Sequence, residues 1–90
     1  MSQAIVDPGE VRRYAANLKR FLADLHAGLA GQHGQLLTLG DSWRDQEYER
    51  FQHEFEQAMH GFERFLDVAT EYIPFLLRKA ERIEEYLSQR

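Results

Sequence analysis

The apolar residues in the second half of the chain recur at alternating spacings of four and three. They are Phe55, Met59, Phe62, Leu66, Ala69, Ile73, Leu76, Ala80, Ile83 and Leu87. On a helix of about 3.6 residues per turn, this seven-residue repeat forms one slowly drifting stripe. The pattern predicts a long helix over about residues 43–87 that coils left-handedly around a neighbour. Pro74 is expected to kink this helix or, alternatively, to end it near Tyr72 and let it resume afterwards.

A second apolar stripe runs through the first half and follows a helix-start signal. In the sequence DPGEV, Asp7 can cap free amides, Pro8 suits the first helical position, and Glu10 completes a capping box. The stripe that follows contains Val11, Tyr14, Leu18, Phe21, Leu22, Leu25, Leu29, Leu36 and Leu39. Its spacings of three and four predict a helix over about residues 8–39.

The stretch LGDSWRD separates the two stripes and predicts a short turn at about residues 40–42. We expect Gly40 to end the first helix in the left-handed conformation. Ser42 is then the expected N-cap of the second helix, with Asp45 completing its capping box. So short a connection makes the two helices antiparallel. The fold prediction is therefore an all-α, antiparallel two-helix hairpin that forms one domain over residues 1–90.

The aromatic content exceeds what one hairpin can bury. The 90 residues include six Phe, four Tyr and one Trp, and a hairpin buries only one seam. We expect two hairpins to pack face to face as a left-handed four-helix bundle, as a homodimer or a heterodimer. The alternative is a monomer with an aromatic surface. The residues expected at the helix–helix interface are Leu18, Leu25, Phe55, Phe62, Leu66, Ala69 and Leu76.

Composition argues against several classes of function. The net charge is −4 and no basic stripe is present, which disfavours nucleic-acid binding. No stretch approaches the roughly 18 apolar residues of a membrane span, and the N-terminus lacks a general secretory signal. The chain has no Cys, and its serines form no nucleophile motif. We therefore expect neither an enzyme nor a cofactor.

The four histidines raise the question of a metal site. One charged ridge on the second helix consists of Glu49, His53, Glu56, His60 and Glu63. In an antiparallel hairpin, His33 is expected level with Glu49, and His26 level with Glu56. However, the ridge points away from the apolar stripe, and bundle metal sites use inward-facing Glu-x-x-His pairs. A solvated charged face is the main interpretation, and a metal-binding helical bundle is the weaker alternative.

Several features together resemble the WXG family of type VII secretion substrates. These are the opening VDPGEVRRYAANL, the helical hairpin near one hundred residues, and the turn LGDSWRD. Trp43 stands at the family's turn tryptophan, and Phe51 lies eight residues later, where an aromatic commonly follows. Asp45 replaces the glycine of the family's Trp-x-Gly. The tail also differs, because Tyr86 is followed four residues later by Arg90 instead of an acidic residue.

This resemblance implies a small non-enzymatic protein that acts through protein–protein contacts. It would be a secretion substrate or a secretion-associated partner, made in the cytoplasm and exported without a cleavable signal peptide. Its implied partners are a second copy or a similar hairpin protein, and the secretion machinery or a fused effector. The candidate docking residues at the turn are Trp43, Asp45, Tyr48 and Phe51. The alternative function is an intracellular helical adaptor or chaperone-like subunit without export.

Overall fold

The chain folds into two antiparallel α-helices joined by a short turn, which confirms the predicted all-α hairpin. A computed structural model describes residues 6–89. Helix α1 spans Pro8–Leu39 and helix α2 spans Gln46–Ser88. The hairpin measures 68 × 23 × 18 Å. Its long dimension is that of α2, because 43 residues at about 1.5 Å per residue give roughly 65 Å.

The start of α1 is fixed by the residues that the sequence indicated, but with a different bond. The Asp7 carboxylate accepts a hydrogen bond from the Gly9 N–H at 2.8 Å, and Pro8 is the first helical residue. The N–H of Glu10 bonds to the Asp7 carbonyl instead, at 3.0 Å. The cap therefore operates one residue earlier than in a capping box, and it still satisfies a free amide at the helix end.

Helix α2 continues through Pro74 without interruption, so the alternative in which it ends near Tyr72 is wrong. Proline removes the hydrogen bond that its own N–H would give to the Thr70 carbonyl. Both Pro74 and Thr70 are exposed. Water can therefore replace the lost bond, and the helix tolerates the proline.

The seam between the helices is narrow and uses small residues. The buried side chains of the described residues are Ala15, Leu22, Leu36, Tyr48, Ala69 and Ala80. Among the described residues, three polar contacts join the helices across this seam: an ion pair between Arg12 and Glu84, a bond between His33 and Glu56, and a hydrogen bond from the Tyr48 hydroxyl to the Leu36 carbonyl. Because half of the buried residues are alanine, the hairpin hides little of its aromatic surface on its own.

Candidate functional site

The turn is longer than predicted because Asp45, and not Ser42, caps α2. The sequence predicted that α2 starts near Trp43, but the helix begins three residues later, at Gln46. Asp45 has an extended backbone, and its Oδ1 accepts the Tyr48 N–H at 3.0 Å. The Ser42 hydroxyl is used elsewhere, since it donates to the Leu39 carbonyl at 3.3 Å. The predicted turn of residues 40–42 therefore extends to residue 45.

Gly40 occupies its position because of space and not because of backbone conformation. Its φ of −63° and ψ of −16° are right-handed helical, so the predicted left-handed cap is wrong. A Cβ atom at Gly40 would lie 2.6 Å from the Tyr48 hydroxyl oxygen and 2.8 Å from Cζ. Only glycine leaves room for this ring.

Tyr48 closes the turn end of the hairpin from inside. Its side chain is 7% exposed, and its hydroxyl donates to the Leu36 carbonyl at 2.7 Å. The Trp43 ring packs edge-on against Tyr48, with 5.3 Å between the ring centroids. Tyr48 is consequently not available for docking another protein, contrary to the sequence expectation. Trp43 is half-buried and Phe51 is exposed, so these two side chains are the accessible aromatics of the turn.

The Asp45 carboxylate has a structural role in the turn. Its pKa lies below the usual value, mainly because the Tyr48 N–H donates a hydrogen bond to it, with a smaller contribution from the Trp43 side chain. Its negative charge also stands at the N-terminal, partially positive end of α2. Asp45 is thus a helix cap that positions Tyr48 in the interior.

One long side of the hairpin, which we term the apolar face, exposes eight large apolar side chains. Each is between 45% and 57% exposed. Helix α1 contributes Tyr14 and Phe21, and α2 contributes Phe51, Phe62, Phe65, Val68, Tyr72 and Phe75. Clusters of this kind on soluble proteins mark interaction sites.

Two grooves run along the apolar face, and Phe65 borders both of them. The first has a volume of about 600 Å³ and is lined by Phe21, Leu25, Ala58, Gly61, Phe62 and Phe65. The second has a volume of about 330 Å³ and lies toward Tyr14 and Tyr72. Helix α2 supplies most of the first lining, and its Gly61 has no atom within 4 Å of a Cβ position. The grooves are therefore open enough to accept side chains from a second helix.

The residues predicted for the helix–helix interface fall into four places. Leu25 and Phe62 line the first groove, whereas Leu18, Ala69 and Leu76 line the second. Leu66 faces a groove on the opposite side of the seam. Phe55 stacks on His33 with ring centroids 6.3 Å apart. Of these, Ala69 is buried within the hairpin and Phe62 is 45% exposed.

The other side of the seam, which we term the polar side, carries charged side chains beside apolar ones. It carries a groove of about 690 Å³ whose lining includes Lys19, His26, Glu63 and Asp67. Glu56 Oε2 accepts from His33 Nε2 at 3.0 Å and from Gln52 at 3.2 Å. Hydrogen bonding by His33, and then by Gln52, lowers the Glu56 pKa.

The histidines do not pair with the carboxylates expected from the sequence. His33 contacts Glu56 instead of lying level with Glu49, and His26 borders the same groove as Glu63. Within residues 6–89, no group of three or more His, Asp or Glu side chains is arranged to hold a metal ion. The ridge on α2 is also not wholly solvated, because Glu56 turns toward α1.

Neither described helix contains an apolar window long enough to cross a membrane. The accessible features of residues 6–89 include the apolar face, the aromatics of the turn and the groove on the polar side. The chain matches no protein-family model, and no curated protein or solved structure gives a significant match.

Proposed function

We propose that this protein is a non-enzymatic helical hairpin that acts by binding another helical protein through its apolar face. The observation that carries the proposal is the exposure of eight large apolar side chains along one side. Water is a poor solvent for this surface, and each Å² removed from it contributes about 25 cal/mol. A partner that fills the two grooves would therefore bind favourably.

We further propose that the setting of this association is type VII secretion, as a substrate or as a secretion-associated partner. The support is the resemblance of the turn and the opening helix to the WXG family. Trp43 is half-buried and Phe51 is exposed, so an aromatic edge is accessible beside the turn. Half-buried tryptophans and other accessible aromatic side chains are enriched at protein docking sites.

Association is tested by light scattering and sedimentation over a range of concentrations, alone and with helical candidate partners. Phe65→Ser should strongly weaken association, because Phe65 borders both grooves. Leu37→Ser is the matched control, since Leu37 is also exposed, at 46%, but lines neither apolar groove. Equal association of both variants with every partner would contradict binding through the apolar face.

Secretion is tested with a tagged chain in cells that have an intact type VII apparatus and in the same cells without its ATPase. We expect the chain in the medium only when the ATPase is present. Trp43→Ala should reduce export while the hairpin still folds, because Tyr48 and not Trp43 fills the turn. Retention of the wild-type chain inside secreting cells would favour the intracellular adaptor instead.

A further inference from the structure

We propose that the partner on the apolar face is a second copy of this chain, with the two α2 helices antiparallel in one defined register. The inference rests on the proposed function, because it identifies the helical protein that the apolar face binds. It starts from a second seven-residue repeat on α2, which we term the outer repeat. Its members are Phe51, Glu54, Ala58, Gly61, Phe65, Val68, Tyr72, Phe75, Lys79 and Arg82, and all of them are exposed.

The outer repeat has the geometry of a second coiled-coil seam. Its spacings alternate strictly between three and four. At about 100° per residue, it lies roughly 90° around α2 from the stripe that faces α1. In a square four-helix bundle, each helix contacts two neighbours in directions about 90° apart. Helix α2 therefore presents one stripe to α1 and a second stripe to a helix outside the hairpin.

The outer repeat is complementary to itself when read in the opposite direction. Antiparallel coiled coils place the first position of one repeat opposite the fourth position of the other. With a two-fold axis between Phe65 and Val68, each of these residues meets the other in the second copy. Gly61 then lies opposite Tyr72 of the second copy, so a small residue faces a large one. The next pairs outward are Ala58 with Phe75, Glu54 with Lys79, and Phe51 with Arg82.

The small residues are open and the large ones project. A Cβ at Gly61 would have no neighbour within 4 Å, and Ala58 and Gly61 line the groove of about 600 Å³. Tyr72 and Phe75 are 56% and 52% exposed. Their rings hold each other edge-to-face at 6.3 Å, so they project as a preformed pair. This pair would fill the groove of the second copy.

Charge selects between orientations. Neither Glu54 nor Lys79 takes part in an ion pair within residues 6–89. In a parallel, in-register pairing, Glu54 would face Glu54 and Lys79 would face Lys79, and Gly61 would leave a void. Like charges directly opposite each other are destabilising. If the antiparallel pairing is shifted by one repeat toward the turn, Glu54 lies opposite Tyr72 of the second copy. It then no longer pairs with Lys79.

Helix α1 can be paired about the same axis. The His33–Glu56 contact sets the level of α1 against α2, and it places the axis beside about residue 23 of α1. An antiparallel pairing of the two α1 helices about that level sets Phe21 opposite Leu25 of the second copy. Leu18 then faces Gly28, which also has no atom within 4 Å of a Cβ position. In this pair too, a large residue faces a small one.

The register is tested by disulfide cross-linking, because the chain contains no Cys. The double variant Glu54→Cys/Lys79→Cys should form a covalent dimer under mild oxidation. The two single variants should cross-link when mixed, but neither alone should. In the proposed register, the two copies of residue 54 lie about 37 Å apart along the helix, and a disulfide needs Cα atoms within about 7 Å.

Charge reversal provides a second test that does not depend on oxidation. Glu54→Lys and Lys79→Glu should each weaken self-association roughly ten-fold, because each creates two repulsive pairs in the dimer. The combined variant should restore the wild-type affinity. Circular dichroism at each step shows whether the hairpin remains helical.

The possible outcomes separate this inference from the proposed function. Single cysteine variants that cross-link with themselves would overturn the antiparallel register. Dimerisation of the wild type without a cross-link in the double variant would also overturn it, while association through the apolar face would stand. A wild-type chain that stays monomeric, yet binds a different helical protein through Phe65, overturns the self-pairing alone. A chain that binds neither itself nor any helical partner overturns both.

Discussion

The turn and the apolar face each contain one glycine near aromatic residues, Gly40 in the turn and Gly61 on the apolar face. The two glycines differ in what fills the space next to them. At the turn, the Tyr48 ring of the same chain lies against Gly40, close enough to exclude a Cβ atom. On the apolar face, Gly61 has nothing within 4 Å, and Tyr72 is 56% exposed. One glycine is already in contact with a tyrosine, and the other is not.

The turn is therefore complete in a single chain, whereas the apolar face is not. The turn buries its tyrosine, satisfies the hydroxyl at the Leu36 carbonyl and caps α2 with Asp45. On the apolar face, the aromatic rings and the small residues lie apart on the same helix and do not pack against each other. They contribute packing energy only when a second helix binds. Stability should therefore depend on the turn, and association on the apolar face.

The largest expected effect is the loss of stability when the turn tyrosine is removed. Tyr48→Ala should lower the free energy of unfolding by about 3–5 kcal/mol, as for other buried aromatics replaced by alanine. Phe51→Ala, an aromatic truncation one turn away at an exposed position, should cost under about 1 kcal/mol. Urea unfolding at low protein concentration measures both. Similar losses for the two variants would remove the distinction between the turn and the apolar face.

Gly40→Ala should have the next largest effect. The added Cβ would overlap Tyr48, so the free energy of unfolding should fall by about 1–3 kcal/mol. The backbone at Gly40 is right-handed helical, which alanine prefers. In a Tyr48→Ala background the same substitution should therefore be neutral or stabilising. If Gly40→Ala costs as much in that background, the penalty does not arise from the ring.

Gly61→Ala should change the free energy of unfolding in the opposite direction and by a smaller amount. With open space around it, alanine in the middle of α2 should raise the stability of the single hairpin by about 0.5–1 kcal/mol. Gly31→Ala is the matched control, since Gly31 is also helical and has nothing within 4 Å. Both should raise the free energy of unfolding measured at low protein concentration, but only Gly61→Ala should weaken association. Equal association of the two would show that Gly61 is not at the interface.

The helices were predictable from the sequence because periodicity records which side of a helix is apolar. The repeat through Phe55, Leu66 and Ala80 predicted α2, and the cap residues before Val11 predicted the start of α1. Periodicity does not state which apolar residues a given neighbour covers. For that reason the sequence grouped Phe62 with Ala69, although one is exposed and the other is buried.

The turn was the least predictable part, because its details depend on one contact between residues on different helices. Two side chains, Ser42 and Asp45, could each cap α2, and local sequence did not decide between them. Burial of Tyr48 against Gly40 fixes the path of the chain and selects Asp45 as the cap. A signal was present, because Tyr48 lies one seven-residue repeat before Phe55 and so falls on the apolar stripe of α2. A residue on that stripe faces α1.

The smallest expected effect concerns the polar side of the seam, where Glu56 links α2 to His33. Hydrogen bonding from His33 and Gln52 holds the Glu56 pKa below its usual value of 4.5. Folding therefore favours the ionised carboxylate, and its contribution to stability is present above that value and is lost as the pH falls through the lowered pKa. Glu56→Gln should flatten the decline in melting temperature between about pH 5 and about pH 3. Glu63→Gln is the control, because Glu63 is exposed, lies one repeat further along α2 and has no hydrogen bond to its carboxylate among the described residues. This variant should keep the wild-type decline. Identical acid sensitivity of all three proteins would show that the His33–Glu56 bond does not help to hold the helices together.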